Sequence, residues 1–281
     1  MFKVLVSDPI SDHGLQQLMD APDVALDKKT GLSEDELVAI IGEYDALLVR
    51  SQTKVTARII EAANRLKVIG RAGVGVDNID LEAATQKGII VINAPDGNTI
   101  ATCELTFAMM MALARHIPQA YKKTISGEWD RKSFVGVELR AKTLGVIGMG
   151  RIGSEVAKRA KAFGMEILGY DPFLTEDRAE KLGVTLATID QICEQADFIT
   201  VHTPLTNETR NLISKPQFAR MKKGVRIINC ARGGIIDEQA LIEAIDEGIV
   251  AGAAFDVFVE EPPKPDHTFL NHPKIIVTPH L

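Results

Sequence analysis

Arg232 stands in "NCARGGIID", directly after an apolar run from Val225 to Cys230 that reads as a strand buried on both faces. A guanidinium at the end of a buried strand is expensive unless an anion meets it, so a carboxylate of the protein or an anionic ligand is expected beside Arg232. Two other groups complete a chemical set. His280 ends the run "KIIVTPH", and Glu260 and Glu261 open "EEPPKP". A histidine titrates near neutral pH, and a neighbouring carboxylate favours its charged form. A cation that holds a carboxylate and polarises a carbonyl, with an acid that protonates the developing alkoxide, is what reduction of a 2-oxo acid requires. Arg232 suits the first role and His280 the second; Glu261 is the candidate partner of His280, with Glu260 not separated from it by spacing alone.

The stretch "TLGVIGMGRIGSEVAKRAKAFGMEILGYDP" places Gly148, Gly150 and Gly153 as G-x-G-x-x-G between an apolar run, Thr143 to Ile147, and an Ala-rich helical pattern. In that context the first glycine turns the chain, the second lets backbone approach a pyrophosphate, and the third packs helix on strand, with the helix N-terminus supplying partial positive charge. Asp171 follows at the end of the next run, 18 positions past Gly153. A carboxylate there accepts bonds from ribose hydroxyls and repels a 2′-phosphate, which favours NAD over NADP.

The elements that must position these groups are legible as repeated short runs. "KVLVSD", "ALLVRS", "LKVIGR" and "GIIVINAP" form one set; "KTLGVIGMG", "EILGYDP", "DFITVHTP", "VRIINCA", "VAGAAFDVF" and "KIIVTPH" form a second, beginning near Lys142. Helical patterns lie between them, which predicts an α/β protein with parallel strands and crossover helices. A nicotinamide at the carboxyl ends of the second set would face His202, Thr203, Pro204, Cys230, Ala231, Arg232, Asp256, Glu261 and His280. Between the sets, Pro95, Gly97 and Asn98 punctuate the chain, Thr99 could cap a helix reaching Arg115, and a hinge is expected near Asn93 and Asn98. That helix is apolar nearly all round (Leu105, Phe107, Met109, Met110, Met111, Leu113), so it is expected to be buried in an interdomain or a subunit contact.

The 281 residues are 46% hydrophobic and 25% charged, which suits two folded domains. With 38 acidic against 32 basic side chains and a net charge of -6, no nucleic-acid role is expected. No run reaches the roughly 20 apolar residues of a bilayer span, and no secretory signal opens the chain, so no membrane partner is expected. Cys103, Cys193 and Cys230 lie far apart without C-x-x-C spacing, which points to a reducing cytoplasm rather than a disulfide frame. His267, His272 and His280 match no compact ligand spacing, so no metal is expected; His13, His116, His267 and His272 read as solvated loop or helix-end residues. The two glycines after Arg232 read as room for a ligand to approach the backbone.

Taken in order, "VRSQTKVT", "GRAGVGVDNIDLEAAT", "NAPDGNT", "AKTLGVIGMGRIG", "DFITVHTPLT", "NCARGGIIDEQAL", "AAFDVFVEEPP" and "TPH" resemble the D-isomer-specific 2-hydroxyacid dehydrogenases over essentially the whole chain. The resemblance implies two doubly wound parallel-sheet domains, a flavodoxin-like substrate domain over residues 1–98 and a Rossmann NAD-binding domain over 99–281. It implies a catalytic set of Arg232, Glu261 and His280, with Glu261 chosen because the family's glutamate directly precedes the proline. It implies NAD contacts from Val74, Gly148, Gly150, Arg151, Ile152, Gly153, Asp171, Thr203, Pro204, Cys230, Ala231 and Asp256. The Gly73-Val74-Gly75 loop resembles one whose amides hold the substrate carboxylate, and Arg50, Ser51 and Arg71 are expected to serve substrate binding, with the two arginines on a phosphate. Arg131 could join them from a partner subunit, in a homodimer formed through the 99–115 helix region. The implied activity is hydride transfer between NAD and a D-2-hydroxy acid. The leading substrate is a phosphorylated one, 3-phosphoglycerate, oxidised to 3-phosphohydroxypyruvate in the first step of serine biosynthesis. A glyoxylate or hydroxypyruvate reductase and an NAD-sensing corepressor of the same fold are the alternatives. Family members continue past the histidine with a small-residue loop and a returning helix, and Leu281 is the last residue of this chain.

Overall fold

In the computed structural model, which describes every residue from Met1 to Leu281, the chain separates into two compact units, Met1–Asn98 and Thr99–Leu281. The first unit alternates β1 (Phe2–Val6), α1 (Asp12–Met19), β2 (Val24–Lys28), α2 (Glu34–Ile41), β3 (Ala46–Val49), α3 (Ala57–Ala62), β4 (Val68–Arg71), α4 (Leu81–Gln86) and β5 (Ile90–Asn93). The strands pair in parallel in the order β2-β1-β3-β4-β5, the flavodoxin-like arrangement. Leu5, Leu47, Val49 and Ile69 meet Leu37, Ile41, Ile59 and Ile60 in its core. Helix starts are set by side chains that accept otherwise unpaired amides: Ser11, Asp80, and Ser33 with Glu36 in a reciprocal capping box. Because β3 and β4 pair with Val49 opposite Arg71, Arg50 and Arg71 leave the sheet at the same edge.

The second unit begins with α5 (Thr99–Arg115) and α6 (Ile117–Ile125) and continues through β6 (Thr143–Ile147), α7 (Arg151–Ala162), β7 (Glu166–Tyr170), α8 (Glu176–Leu182), β8 (Thr185–Leu186), α9 (Ile189–Gln195), β9 (Phe198–Val201), α10 (Lys215–Phe218), β10 (Val225–Asn229), α11 (Glu238–Asp246), β11 (Val250–Phe255) and β12 (Ile275–Val277). Its seven strands run in the order β12-β11-β10-β9-β6-β7-β8, all parallel. Counted from β6, this is the Rossmann order with one strand added beyond the sixth. Alternate strand residues enter different cores. Ile147, Ile199, Val201 and Ile227 join one that includes α9 and α11, while Val146, Phe198, Ile228 and Ala254 join another that includes α5 and α7. Covering both faces explains the unbroken apolar runs.

Three local expectations change. Strands β2 and β8 have no strong apolar run, and both are sheet edges, where half of the surface is wet. Thr99 lies inside α5, and its Oγ1 is buried without a hydrogen bond, so it does not cap the helix. On α5, Cys103, Phe107, Met109, Met110 and Leu113 are buried against α7, β10 and β11 of its own unit, while Ile100 and Met111 stay exposed. By contrast α6 has no buried residue and leaves Ile117, Tyr121 and Ile125 exposed. No single helix is long and apolar enough to cross a membrane.

Gly153 is where the fold depends most closely on a missing side chain, since a Cβ there would lie 2.0 Å from the Gly148 carbonyl oxygen. That oxygen belongs to the turn leaving β6 and cannot yield without opening it. Gly153→Ala is expected to lower stability by about 1–3 kcal/mol, measured by denaturant unfolding.

Candidate active site

The turn after β6 is built around Gly148, whose φ of 96° suits glycine and whose absent Cβ would meet the His202 carbonyl oxygen at 2.6 Å. Asp171 braces this turn, its Oδ2 accepting from the Met149 amide at 2.9 Å and its Oδ1 from the Phe173 amide at 2.8 Å. A carboxylate oxygen has a second lone pair, so both oxygens can still accept from hydroxyls. Gly150 starts α7, and a Cβ on it would meet nothing within 4 Å, which leaves the helix N-terminus open to an anion. Arg151 is exposed on the first turn, while Ile152 packs partly against the core. Beside Gly148, His202 Nδ1 and Thr203 Oγ1 are buried and have no hydrogen-bond partner. Burial pushes the His202 imidazole down to about 4, and its Nε2 lies 3.0 Å from Thr200 Oγ1, so the ring is neutral. An open helix N-terminus, a braced acidic side chain and two unsatisfied polar atoms fit a dinucleotide such as NAD.

Arg232 leaves the end of β10 through a turn made by Asn229. This fully buried amide accepts from Ala231 N at 3.0 Å and donates to Arg232 O at 2.9 Å. Arg232 in turn donates from Nη1 to Ala231 O at 2.7 Å. The glycines after it serve the fold, which corrects the reading of open backbone. A Cβ on Gly233 would lie 1.9 Å from Phe258 O, and Gly234 has a φ of 81°. Gly233 thus lets the 258–261 turn lie directly on the Arg232 loop. That turn carries Glu261, whose Oε1 accepts from Phe258 N at 3.0 Å and whose Oε2 lies 2.6 Å from His280 Nδ1. Glu260 instead pairs with Lys264 on the surface, so Glu261 is the glutamate that contacts His280.

The electrostatics of the set are mutual. Burial alone would raise Glu261, but the hydrogen bonds from His280 and the Phe258 amide, with the charges of His280 and Arg232, hold it below the ordinary carboxylate range. The bond to Glu261 raises His280 above the ordinary imidazole value, against burial and the Arg232 charge and with help from Asp256. The backbone at His280 is left-handed, φ 54°, a conformation that costs about 1–2 kcal/mol for a residue with a Cβ. Buried Asp256 holds it there, its Oδ1 accepting from Thr278 Oγ1 at 2.5 Å and Leu281 N at 3.1 Å. Cys230, just before the loop, is buried, and burial with the Asp256 charge pushes its thiol up to about 12. Pro204 is exposed, and its carbonyl accepts from Thr209 Oγ1 at 2.6 Å.

In the first unit, Arg50 and Ser51 occupy a loop clamped from beneath. Buried Asp8 accepts from Arg50 N at 2.6 Å, Thr53 N at 3.1 Å and Thr53 Oγ1 at 2.6 Å, and Asn78 Nδ2 donates to Arg50 O at 2.8 Å and Thr53 O at 2.7 Å. Arg71 lies folded over Gly73, where a Cβ would meet its Nη1 at 1.7 Å. The Gly73 amide donates to Arg71 O at 2.9 Å and is thus engaged within the loop itself. Asn93 Nδ2 anchors Val74 O at 2.6 Å. Asp8, Asn78 and Asn229 escaped sequence reasoning, although each is a polar residue at a strand end or turn.

Residues 107–281 match the NAD binding domain of the D-isomer specific 2-hydroxyacid dehydrogenases. The chain belongs to that family. It is 57% identical over 282 residues to D-3-phosphoglycerate dehydrogenase of Bacillus subtilis, covering 100% of this chain and 53% of that one. It is 50% identical over 279 residues to the Homo sapiens protein of the same name, covering 99% and 52%. The chain thus spans about half the length of these relatives. Among solved structures it resembles D-lactate dehydrogenase from Aquifex aeolicus complexed with NAD and lactic acid, with a TM-score of 0.85 at 30% identity, covering 99% of this chain and 88% of that one.

Within this dehydrogenase framework one histidine departs from expectation. His267 is not solvated but mostly buried, flanked by Phe258 and Phe269 and bonded to Glu238. No group of three or more His, Cys, Asp or Glu side chains is placed to hold a metal ion. The Glu261 contact generates a direct test. Since the carboxylate raises His280, Glu261→Gln is expected to move the His280 titration to lower pH, followed by NMR of the ring carbon.

Proposed function

We propose that the full protein oxidises 3-phosphoglycerate to 3-phosphohydroxypyruvate with NAD, as the catalytic step opening serine biosynthesis. The observation that carries this reading is the 2.6 Å Glu261–His280 pair beside Arg232 at the carboxyl edge of a Rossmann sheet. Relatives named D-3-phosphoglycerate dehydrogenase at 50–57% identity support the substrate. Arg232 would hold the substrate carboxylate and polarise C2. With Nδ1 engaged by Glu261, His280 presents Nε2 to the substrate hydroxyl, takes its proton as hydride leaves C2, and returns it in the reverse direction. Glu261 stabilises the imidazolium so formed. NAD, when bound, supplies the hydride acceptor; Gly148, Gly150, Arg151, Ile152, Gly153, Asp171, Thr203 and Pro204 would hold it, with Cys230, Ala231 and Asp256 toward the nicotinamide. In the first unit, Val74 and Gly75 offer amides to an anion, and Arg50 with Arg71 supplies the positive charge for a phosphate.

Two further features belong to the same reading. The exposed stripe of Ile117, Tyr121 and Ile125 on α6 falls on one helix face and supports pairing with a second copy there, rather than through the buried face of α5. Three free, buried cysteines support a reducing, cytoplasmic setting.

Three measurements test this reading. In the full-length protein, NADH formation from 3-phosphoglycerate should require a base at His280. The oxidation rate should therefore rise as pH passes the raised His280 value, with the rise moved to lower pH in Glu261→Gln. Arg50→Ala should raise KM for 3-phosphoglycerate by roughly 10- to 100-fold while leaving unphosphorylated D-2-hydroxy acids nearly unaffected, and equal losses for both would remove phosphate from its role. Tyr121→Glu with Ile125→Glu should convert a dimer to monomer in light scattering.

A further inference from the structure

Glu261 must sit within tenths of an ångström of one place to meet His280, yet the turn that carries it, Phe258–Glu261, lies outside every helix and strand. A fixed element that touches it is the start of α11. Glu238, its first residue, accepts from Val259 N through Oε1 at 3.1 Å and contacts His267 Nε2 through Oε2 at 3.1 Å. His267 Nδ1 accepts from Phe269 N at 3.2 Å, which places the ring proton on Nε2 and makes it the donor to Glu238. The ring stands edge-on to Phe258 (5.4 Å between centroids) and to Phe269 (5.0 Å), and Phe269 is fully buried. Two carboxylates thus take successive amides of one turn: Glu261 takes that of Phe258 and Glu238 that of Val259.

We propose that Glu238 and His267 are a positioning pair that fixes the Phe258–Glu261 turn and thereby sets the contact between Glu261 and His280. The proposal rests on the catalytic reading of His280. The pair works as a lock with one permitted hydrogen-bond pattern. The Phe269 amide dictates the His267 tautomer, that tautomer needs an acceptor, and the other oxygen of that acceptor captures the turn. A glutamine at 238 has one acceptor oxygen for two donors and leaves one of them facing an NH2 group. Gly233 under Phe258 O and the His267 ring against Phe258 constrain the turn from the other sides, so release of Val259 lets the turn pivot and Glu261 withdraw.

The test uses the full-length protein with NAD present and reads the His280 ring by NMR alongside the pH profile of 3-phosphoglycerate oxidation. Glu238→Gln and Glu238→Ala are expected to move the His280 titration to lower pH, in the direction Glu261→Gln moves it, and to shift the rising limb of the profile by the same amount. The rate at neutral pH should fall between about 10- and 100-fold. His267→Gln keeps a donor at the reach of Nε2 and is expected to stay near wild type, whereas His267→Phe follows Glu238→Ala. The other charges facing His280, Arg232 and Asp256, are unchanged in these variants, so the shift reports Glu261. A lowered Tm in Glu238→Gln with the His280 titration intact would identify plain structural support and overturn the proposal. If wild type oxidises no D-2-hydroxy acid, the proposed function fails, while the NMR titration still decides the positioning role.

Discussion

The contact between His280 Nδ1 and Glu261 Oε2, 2.6 Å long, joins two loops 19 residues apart, and several unusual features of the second unit converge on it. It requires a left-handed backbone at His280, and buried Asp256 supplies the bonds that hold that backbone. It requires a turn at Phe258 close enough to the Arg232 loop that only glycine fits at 233. Arg232 acts on both partners at once, lowering Glu261 and opposing the rise of His280. The imidazole is therefore held between one charge that keeps its proton and one that helps release it. On the proposed function, in which His280 takes and returns a proton, such a balance suits the role.

Parallel strands make this convergence possible. Because all seven strands of the larger sheet point the same way, the residues that leave β6, β7, β9, β10, β11 and β12 emerge along one edge. These include Gly148, Asp171, Thr203, Arg232, Asp256 and His280, and no two of them come from the same loop. Both sheet faces are covered by helices, so the interior is apolar and the edge is where polar chemistry can stand. Buried Asn229 is satisfied locally, using its side-chain amide to turn the chain toward Arg232, whereas His202 Nδ1 and Thr203 Oγ1 stay without a protein partner at the edge itself.

Glycine carries different meanings along this edge. Gly153 is small because a carbonyl packs against it, Gly73 because a guanidinium lies over it, and Gly233 because another loop crosses it, whereas Gly150 faces open space at a helix N-terminus. Gly150 alone among them has the form expected of close ligand approach. The others bring protein groups together, at Gly73 the Arg71 guanidinium and at Gly233 the turn bearing Glu261.

The buried central strands, the glycine fingerprint with Asp171, and the places of Arg232 and His280 at strand ends were legible in the sequence, whereas spacing left Glu260 and Glu261 undivided. Each legible feature leaves a local mark: an unbroken apolar run, a turn spacing, or a charged residue where a buried strand ends. Strands β2 and β8 left none because an edge strand is half wet and needs no apolar run. Asp8, Asn78 and Asn229 left only single letters, and His267 read as a loop residue until Phe258 and Phe269 closed around it. Sequence alone determined which chemical groups the chain possesses and which elements carry them. The tertiary structure decided which carboxylate meets His280, which glycines face open space rather than backbone, and which face of which helix remains bare. Those outcomes depend on loops distant in sequence that only the parallel packing of the sheet brings to one edge.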